Sequence, residues 1–294
     1  DSTFGYLDAR HAWEHFPKQL WRGRESVPVE GYSSDILSDE AAKFIRGHRA
    51  DPFFLYLAFI EPHFLIEAPA EDVGKFRGRF REKDPAEPYN ARYAAMIHRL
   101  DAGIGRVLDS LDETGLARDT LIVFSSDNGA TFEAGNKGAS NYHDSNHPFR
   151  GQKRSLEEGG LRMPAVVRWP GRVPSGRRSP EITHMTDVMP SMLAAAGGKP
   201  DPAWKVDGRN MLDVWSGKVK APERTLFWEW QTEGGTMLAA MRGDYKYLDI
   251  GGNKFLYNVR TDPGERRSLI GEYPEIMKQL EAETTAWLAT AVTK

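Results

Sequence analysis

The stretch from Leu121 to Pro164 decides the fold and reads LIVFSSDNGATFEAGNKGASNYHDSNHPFRGQKRSLEEGGLRMP. Its first four residues, 121–124, are apolar and uninterrupted, which predicts a short buried strand. Asp127 and Asn128 follow this strand, and their carboxylate and amide oxygens are ligands that Ca²⁺ or Mg²⁺ prefers. Because ligands bind beyond the carboxyl ends of strands in open α/β sheets, we expect a metal site here. A lone Asp-Asn-Gly is also an ordinary turn sequence.

A second apolar run, residues 53–60, predicts another buried strand. It is followed by Glu61-Pro62-His63, so His63 has the same kind of position as Asp127. A single histidine at the end of a strand can also be a structural residue that bonds to backbone. For a single histidine, the structural interpretation is the favoured one.

The sequence between His63 and the next predicted strand contains the clearest helix pattern of the chain, over residues 89–111, with Gly115 as its stop. Its apolar residues recur every three or four positions and are predicted to be core: Tyr93, Ile97, Leu100, Ile104, Val107, Leu108 and Leu111. A strand-helix-strand connection predicts parallel strands in one sheet. Both strands then end at the same edge, where His63, Asp127 and Asn128 are expected to converge.

Other segments are predicted from local pattern. Residues 1–33 are expected to be an irregular connecting segment, and Ser34 or Ser38 is expected to cap a helix that ends near His48. The loop 130–148 is expected to influence substrate choice. An alternative is a second metal site formed by His143 and His147, although no helix supports that spacing.

The last third of the chain has a different pattern. From about Pro222, short apolar runs separated by Gly-Gly or Gly-Asp predict antiparallel strands with hairpin turns. A final helix is predicted from Pro274. We therefore expect two domains, residues 1–221 and 222–294, the second a small α+β subdomain. Its aromatic residues are interpreted as core, with a sugar-stacking surface as the alternative.

Composition excludes several classes of protein. The chain has 294 residues, 40% of them hydrophobic and 28% charged, with a net charge of −3. This charge predicts neither nucleic acid nor an anionic membrane as a partner. No apolar run reaches the ~20 residues of a membrane span. The absence of cysteine excludes disulfides and thiolate metal ligands.

Two further motifs relate the chain to a known family. Gly151-Gln152-Lys153, three residues, and then EEGGLRMP at 157–164 resemble the Gly-x-Lys…Glu-Gly-Gly-x-Arg-x-Pro signature of the sulfatase family, at the family's distance from Asp-Asn-Gly. Pro62-His63 is also sulfatase-like, although Leu65 stands where many members have proline. The resemblance extends over residues 4–270.

The resemblance implies a fold and a set of site residues. It implies the later portion of an alkaline-phosphatase-like α/β fold, with a mixed, largely parallel sheet flanked by helices. It also implies that Asp127 and Asn128 hold Ca²⁺ rather than Mg²⁺. Lys153 and His63 would bind the sulfate group and take part in catalysis. We expect Arg162 to be structural and to pair with Glu157 or Glu158.

The family's earlier motifs are absent from this sequence. These are a tandem acidic pair and a Cys- or Ser-x-Pro-x-Arg motif, whose first residue becomes the formylglycine nucleophile. The chain has no Asp-Asp and no cysteine, and Ser26-Val27-Pro28-Val29-Glu30 ends in Glu where Arg is required. We expect the nucleophile on a preceding segment, so this chain alone should bind Ca²⁺ poorly and be inactive.

The family relationship also suggests a substrate and a location. A small-molecule or carbohydrate sulfate ester is the expected substrate, and the protein is expected to be periplasmic or secreted. Two alternatives remain open. One is a related metal-dependent phosphatase or phosphodiesterase, and the other is a non-catalytic remnant that binds sulfated sugars.

Overall fold

The computed structural model describes residues 3–7, 13–131, 139–232 and 234–291. These residues form helices and three antiparallel sheets, which confirms the α/β class. Two compact units are distinguished. The first holds the described parts of residues 1–120 and 132–144, and the second those of 121–131 and 145–294. Within this described part, no helix has the length and apolar character needed to cross a membrane.

The first unit begins with a small sheet. Its elements are β1 (Phe4–Gly5), β2 (Gln19–Arg22), β3 (Glu25–Pro28), α1 (Ser33–Gly47), α2 (Ala70–Phe76), α3 (Tyr89–Glu113) and α4 (Ala139–His143). The three strands pair antiparallel in the order β1-β2-β3. The prediction of an irregular segment over residues 1–33 was therefore wrong. Gly23, with φ +61°, helps to form the two-residue turn between β2 and β3. The irregular spacing of apolar residues in 1–33 did not indicate this hairpin.

Helix α1 is where the sequence predicted it, but its cap is not. Tyr32 is the capping residue, and Ser34 and Ser38 both lie inside the helix. A distant carboxylate satisfies the first turn, because Glu61 Oε1 accepts a hydrogen bond from the Ser34 backbone N–H at 3.1 Å. The cap therefore depends on tertiary structure, which local sequence does not specify.

Helix α3 confirms the strongest helix prediction. Its first backbone N–H groups, those of Asn90 and Ala91, donate to the Glu82 carboxylate at 2.8 and 2.9 Å. This carboxylate satisfies donors that the helix itself cannot. At the other end, Gly115 has φ +75°, the left-handed conformation that commonly ends a helix.

The buried face of α3 differs in part from the predicted stripe. Leu100 and Leu111 are buried as expected, but Ile97 is 40% exposed. Small residues take much of the buried face instead, because α1 approaches closely there. A Cβ added at Gly103 would lie 2.4 Å from the Ser38 hydroxyl. The buried hydrophobic residues of the helix are Ala91, Ala95, Met96, Leu100 and Leu111.

Residues 53–60 form no strand in the described structure, so the prediction of a buried strand there was wrong for this chain. Their exposure alternates along the chain: Phe54 is 72% and Tyr56 80% exposed, whereas Phe53 and Leu55 are partly buried. A period of two is typical of a strand. The predicted parallel pairing is likewise not found among the described strands, which all pair antiparallel.

The second unit contains residues 121–131 and 145–164 of the deciding stretch. Its elements are β4 (Ile122–Ser125), α5 (Glu158–Leu161), β5 (Ala165–Arg168), α6 (Val188–Ala195), α7 (Leu212–Trp215), β6 (Thr225–Thr232), β7 (Gly235–Arg242), β8 (Tyr245–Ile250), β9 (Asn253–Asn258) and α8 (Pro274–Ala291). β4 confirms the predicted strand and pairs antiparallel with β5. The strand is not fully buried, because Phe124 is 40% exposed.

The carboxylate of Asp187, just before α6, binds groups from three segments of the chain. It accepts hydrogen bonds from the backbone N–H groups of His184 and Arg209, both at 2.8 Å, and from the Arg224 guanidinium. Burial alone would raise the pKa of Asp187, but these donors hold it below its ordinary value. A Cβ at Gly208 would lie 1.8 Å from the Thr186 carbonyl oxygen. Asp187 and Gly208 therefore hold the segments around α6 together.

The C-terminal strands and helix are present as predicted. Strands β6 to β9 form an antiparallel sheet in sequence order, and the β8–β9 turn uses Gly251 and Gly252 with φ +58° and +88°. Helix α8 packs on this sheet through Leu280, and its Trp287 stacks on Phe227 with ring centroids 5.2 Å apart. Most of these aromatic residues are thus core. The domain boundary at 222 stays a prediction.

Candidate active site

Two backbone hydrogen bonds join the two signature motifs inside the second unit. The Gly129 N–H donates to the Gly160 carbonyl at 3.0 Å, and the Lys153 N–H donates to the Ala130 carbonyl at 2.9 Å. Lys153 therefore lies beside the turn that carries Asp127 and Asn128, although 24 or more residues separate them in the sequence. The structure brings these three predicted site residues into one neighbourhood.

The glycines of the motifs are required by how closely these backbones approach. A Cβ at Gly129 would lie 1.8 Å from the Gly159 carbonyl oxygen, and one at Gly159 would lie 2.4 Å from the Gly151 carbonyl oxygen. A Cβ at Gly160 would lie 2.2 Å from the Ser155 carbonyl oxygen. No other residue type fits without displacing backbone. The Glu-Gly-Gly part of the signature is therefore a packing requirement.

Asp127 and Asn128 offer oxygen donors of the right chemistry for a hard cation. Asp127 is exposed, and Asn128 is partly buried. The Asn128 Nδ2 group donates to the Gly129 carbonyl at 2.9 Å. Because the amide nitrogen is used in this bond, Oδ1 is the side-chain atom suited to Ca²⁺.

The number of ligands is smaller than Ca²⁺ needs. Among the residues that the structure describes, no group of three or more His, Asp and Glu side chains could hold a metal ion. Ca²⁺ takes about six to eight oxygen ligands, and this pair supplies a part of such a shell. The carboxylate and amide oxygens of the pair are ligand types that Ca²⁺ binds. The assignment of Asp127 and Asn128 as ligands stays a prediction.

Lys153 lies in a tight turn between two left-handed residues. Gly151 has φ +81° and Arg154 has φ +71°. The Ser155 N–H closes the turn on the Gln152 carbonyl at 3.0 Å. A left-handed arginine costs conformational energy, and such residues concentrate at functional sites. The turn holds Lys153 at a fixed place on the backbone, and its side chain is partly buried.

A buried ion-pair network lies behind α5. Lys246, fully buried on β8, is 2.9 Å from Glu158 Oε1 and 3.0 Å from Glu265 Oε1. Glu265 Oε2 also accepts the Glu158 backbone N–H at 2.8 Å. On the other side, Arg162 is 2.6 Å from Glu158 Oε2. The predicted pairing of Arg162 with Glu157 or Glu158 is confirmed for Glu158.

Sequence reasoning did not anticipate this network, which we call the Lys246 network (Glu158, Arg162, Lys246 and Glu265). Burial raises the pKa of Glu265 above its ordinary value, although Lys246 opposes that effect. Two carboxylates and two cations balance in charge, which is how buried ions are tolerated. The one available signal was a lysine inside the apolar run of β8.

His63 belongs to the first unit and is bound to backbone on two sides. Its Nδ1 donates to the Phe64 carbonyl at 2.7 Å, and its own carbonyl accepts a bond from His15 Nε2 at 3.1 Å. The ring of Trp13 stacks on the imidazole with centroids 6.1 Å apart. Because a carbonyl oxygen can only accept, Nδ1 carries a proton in this arrangement.

A second buried polar group supports His63. His15 is fully buried, and its Nδ1 is 3.7 Å from Glu61 Oε1. Glu61 is also bonded to the Ser33 hydroxyl. The sequence did not identify His15 as relevant to the site. Since His63 and Asp127 belong to different compact units, their convergence stays a prediction.

The loop 130–148 is described only in part. Residues 132–138 of the loop 130–148 lie outside the described residues. His143 lies on α4, where its ring centroid is 4.8 Å from that of Tyr93 and burial lowers its pKa. The alternative metal site at His143 and His147 stays untested.

Comparison with known proteins agrees with the motifs. The family model described as Sulfatase matches residues 1–198, and the model described as N-sulphoglucosamine sulphohydrolase, C-terminal, matches residues 147–289. The first match covers more than half of the chain. The chain therefore belongs to the sulfatase family.

Individual relatives show how much of the family's length is present. The chain is 31% identical to steryl-sulfatase of Mus musculus over 85% of this chain and 44% of the relative. It is 32% identical to N-acetylgalactosamine-6-sulfatase of Homo sapiens over 80% of this chain and 40% of the relative. It thus spans less than half of either relative.

A solved structure shares the fold. The crystal structure of Ps i-CgsB in complex with k-i-k-neocarrahexaose matches with a TM-score of 0.82 and 28% identity. The match covers 92% of this chain and 57% of that chain.

Proposed function

We propose that the protein of which this chain forms part hydrolyses sulfate esters. In this proposal the chain supplies Lys153, His63, Asp127 and Asn128 to the active site. The observation that carries the proposal is the 2.9 Å bond from the Lys153 N–H to the Ala130 carbonyl, beside the Asp127-Asn128 turn. Membership of the sulfatase family supports it.

Lys153 has the chemistry to bind and stabilise a sulfate group. A sulfate ester carries its negative charge on the non-bridging oxygens, and charge shifts towards the leaving oxygen in the transition state. A fixed ammonium near these oxygens stabilises that charge. Ca²⁺, held in part by Asp127 and Asn128, would add a Lewis acid at the same group.

His63 is suited to proton transfer. Its Nδ1 is fixed on the Phe64 carbonyl, so Nε2 is the atom that would donate a proton to the departing alcohol oxygen. This role needs His63 to lie near Lys153. The parallel sheet expected from the family fold would bring both residues to one edge.

The proposal includes parts outside this chain. We expect the formylglycine nucleophile and the remaining Ca²⁺ ligands on a preceding segment, together with strands of the largely parallel sheet. The alternating exposure of residues 53–60 supports this, because an unpaired apolar segment suits the addition of neighbouring strands. Residues 1–221 would then complete the catalytic domain, and 222–294 would form the small α+β subdomain.

The names of the relatives support a substrate class. The relatives include enzymes named for a steryl sulfate and for N-acetylgalactosamine 6-sulfate, and a structure holding a neocarrahexaose. We infer a small-molecule or carbohydrate sulfate ester as the substrate and a periplasmic or secreted location.

The test uses the full-length protein with Ca²⁺ and compares an aryl sulfate with the matching aryl phosphate. We expect hydrolysis of the sulfate. Lys153→Ala and His63→Ala should each lower kcat/KM by about 100- to 1,000-fold, because each removes charge stabilisation or proton transfer in the transition state.

Lys218→Ala is the matched control, since Lys218 is an exposed lysine paired with Asp213 at 3.0 Å. It should keep wild-type activity. Rates of Lys153→Ala or His63→Ala within tenfold of wild type would remove that residue from the site. Preference for the phosphate ester would favour the phosphatase alternative.

A further inference from the structure

The Asn146 side chain bonds to backbone beside both family motifs, Asp-Asn-Gly at 127–129 and Gly-Gln-Lys at 151–153. It lies in the turn before Phe149 and is 7% exposed. Its Oδ1 accepts a hydrogen bond from the Ala130 N–H at 2.9 Å, and its Nδ2 donates to the Ala130 carbonyl at 3.0 Å. The same Nδ2 donates to the Gly151 carbonyl at 3.1 Å. Both ends of the amide are therefore used.

The partners of Asn146 lie next to the proposed site residues. Ala130 is two residues after Asn128, and Gly151 is two residues before Lys153. The Ala130 carbonyl accepts from both the Asn146 amide and the Lys153 N–H. One buried side chain thus fixes the backbone on the metal side and on the lysine side simultaneously.

We propose that Asn146 is a positioning residue that holds the Asp127-Asn128 turn and Lys153 in one arrangement. This inference rests on the proposed function of these residues. The amide is specific for the task, because it presents one acceptor and two donors in a plane. Aspartate has the same shape but, when ionised, accepts only, and it would face two carbonyl oxygens.

Asn146 acts on the geometry of the site as well as on stability. Loss of the amide removes the hydrogen bonds that Asn146 makes to the Ala130 N–H and to the Gly151 carbonyl, and leaves the Ala130 carbonyl with the Lys153 N–H. The backbone then relaxes where the turn and the lysine loop meet. Small displacements of groups that stabilise a transition state reduce kcat strongly.

The experiment compares Asn146→Asp and Asn146→Ser with wild type in the full-length enzyme. Asn258→Ala is the matched control, since Asn258 Oδ1 also accepts backbone N–H bonds, from Arg260 at 3.2 Å and Thr261 at 3.1 Å. Three quantities are measured: kcat and KM for a sulfate ester, the Tm in EDTA, and the rise in Tm on adding Ca²⁺.

We expect both Asn146 variants to lower kcat at least tenfold and to shrink the Ca²⁺-dependent rise in Tm. Asn258→Ala should lower the Tm in EDTA, keep kcat within twofold and keep the full rise with Ca²⁺. The Asn146→Ser variant carries no buried carboxylate, so it guards against misfolding of Asn146→Asp.

Several outcomes would overturn the inference. Asn146 variants that lower the Tm in EDTA but keep kcat and the Ca²⁺ response would show a purely structural residue, and so would variants that do not fold at all. In both cases an active wild type leaves the proposed function standing. A folded wild type that hydrolyses no sulfate ester and shows no Ca²⁺ response would defeat both.

Discussion

Residues 53–60 and residues 121–125 look alike in sequence but differ in structure. Residues 53–60 and 121–124 are both apolar runs followed by polar residues, and both were predicted as buried strands. Residues 122–125 form β4 and pair with β5, and the loop after β4 is joined to α5 by the hydrogen bond from the Gly129 N–H to the Gly160 carbonyl. The first run forms no strand in the described structure and exposes Phe54 and Tyr56.

Whether a segment forms a strand depends on its neighbours as well as on its own sequence. Backbone N–H and C=O groups of a strand need partners, and apolar faces need cover. Residues 122–125 find backbone partners in β5, within the second unit. We therefore expect the 121–164 region to be sensitive to substitution and residues 53–60 to be tolerant.

The largest expected effect concerns the Lys246 network that supports α5. Lys246→Met should lower the free energy of unfolding by about 3–5 kcal/mol, because it leaves buried Glu265 without its cation. Urea denaturation followed by tryptophan fluorescence would measure this. Adding Glu265→Gln to Lys246→Met should recover part of the loss.

The control for Lys246 is Lys254→Met, the same substitution at a lysine whose partner, Glu281, lies at the surface. It should leave the denaturation curve close to that of wild type. A Lys246→Met curve that coincides with the Lys254→Met curve would contradict the role given to the network.

The next largest effect on the free energy of unfolding is expected at Gly129, where two backbone segments are in close contact. Gly129→Ala should cost about 3 kcal/mol, because the added Cβ would lie 1.8 Å from the Gly159 carbonyl oxygen. Gly105→Ala is the control. Gly105 lies in α3, and a Cβ added there would have no atom within 4 Å, so alanine should stabilise by up to about 1 kcal/mol. Equal behaviour of the two variants in thermal denaturation would refute the close packing.

The smallest effect is expected in residues 53–60. Phe54→Ser and Tyr56→Ser in the 294-residue chain should change the free energy of unfolding by less than about 0.5 kcal/mol, because both side chains are exposed. The same substitutions in the full-length protein should cost about 2 kcal/mol or more if added strands bury them.

Leu248→Ala, at a fully buried position, provides the scale and should cost about 2–5 kcal/mol in either protein. A loss of that size from Phe54→Ser in the 294-residue chain would mean that residues 53–60 are already packed there. Our account of the difference between the two regions would then fail.

The sequence predicted what depends on local pattern. Helix α3 and its glycine stop, the C-terminal hairpins and the pairing of Arg162 with Glu158 were all correct, because periodicity, turn glycines and short spacing determine them. The backbone bond between Lys153 and Ala130 agrees with the two motifs of the family signature acting together.

The sequence did not predict what depends on distant partners. The cap of α1 comes from Glu61, which lies 27 residues beyond Ser34. Lys246 is buried by carboxylates from two other segments. The closely packed faces of α1 and α3 use small residues such as Gly103, whereas Ile97 is exposed. Each of these outcomes requires a tertiary contact that no local pattern contains.

The complete burial of Lys246 has a consequence for chemical labelling. Acylating reagents attack an amine that is both accessible and uncharged, and the ammonium of Lys246 is neither while it is bound between Glu158 and Glu265. Its labelling must wait until β8 separates from α5. The rate at which a tryptic peptide containing Lys246 gains an acyl group, relative to one containing exposed Lys218, therefore reports how often this part of the molecule opens.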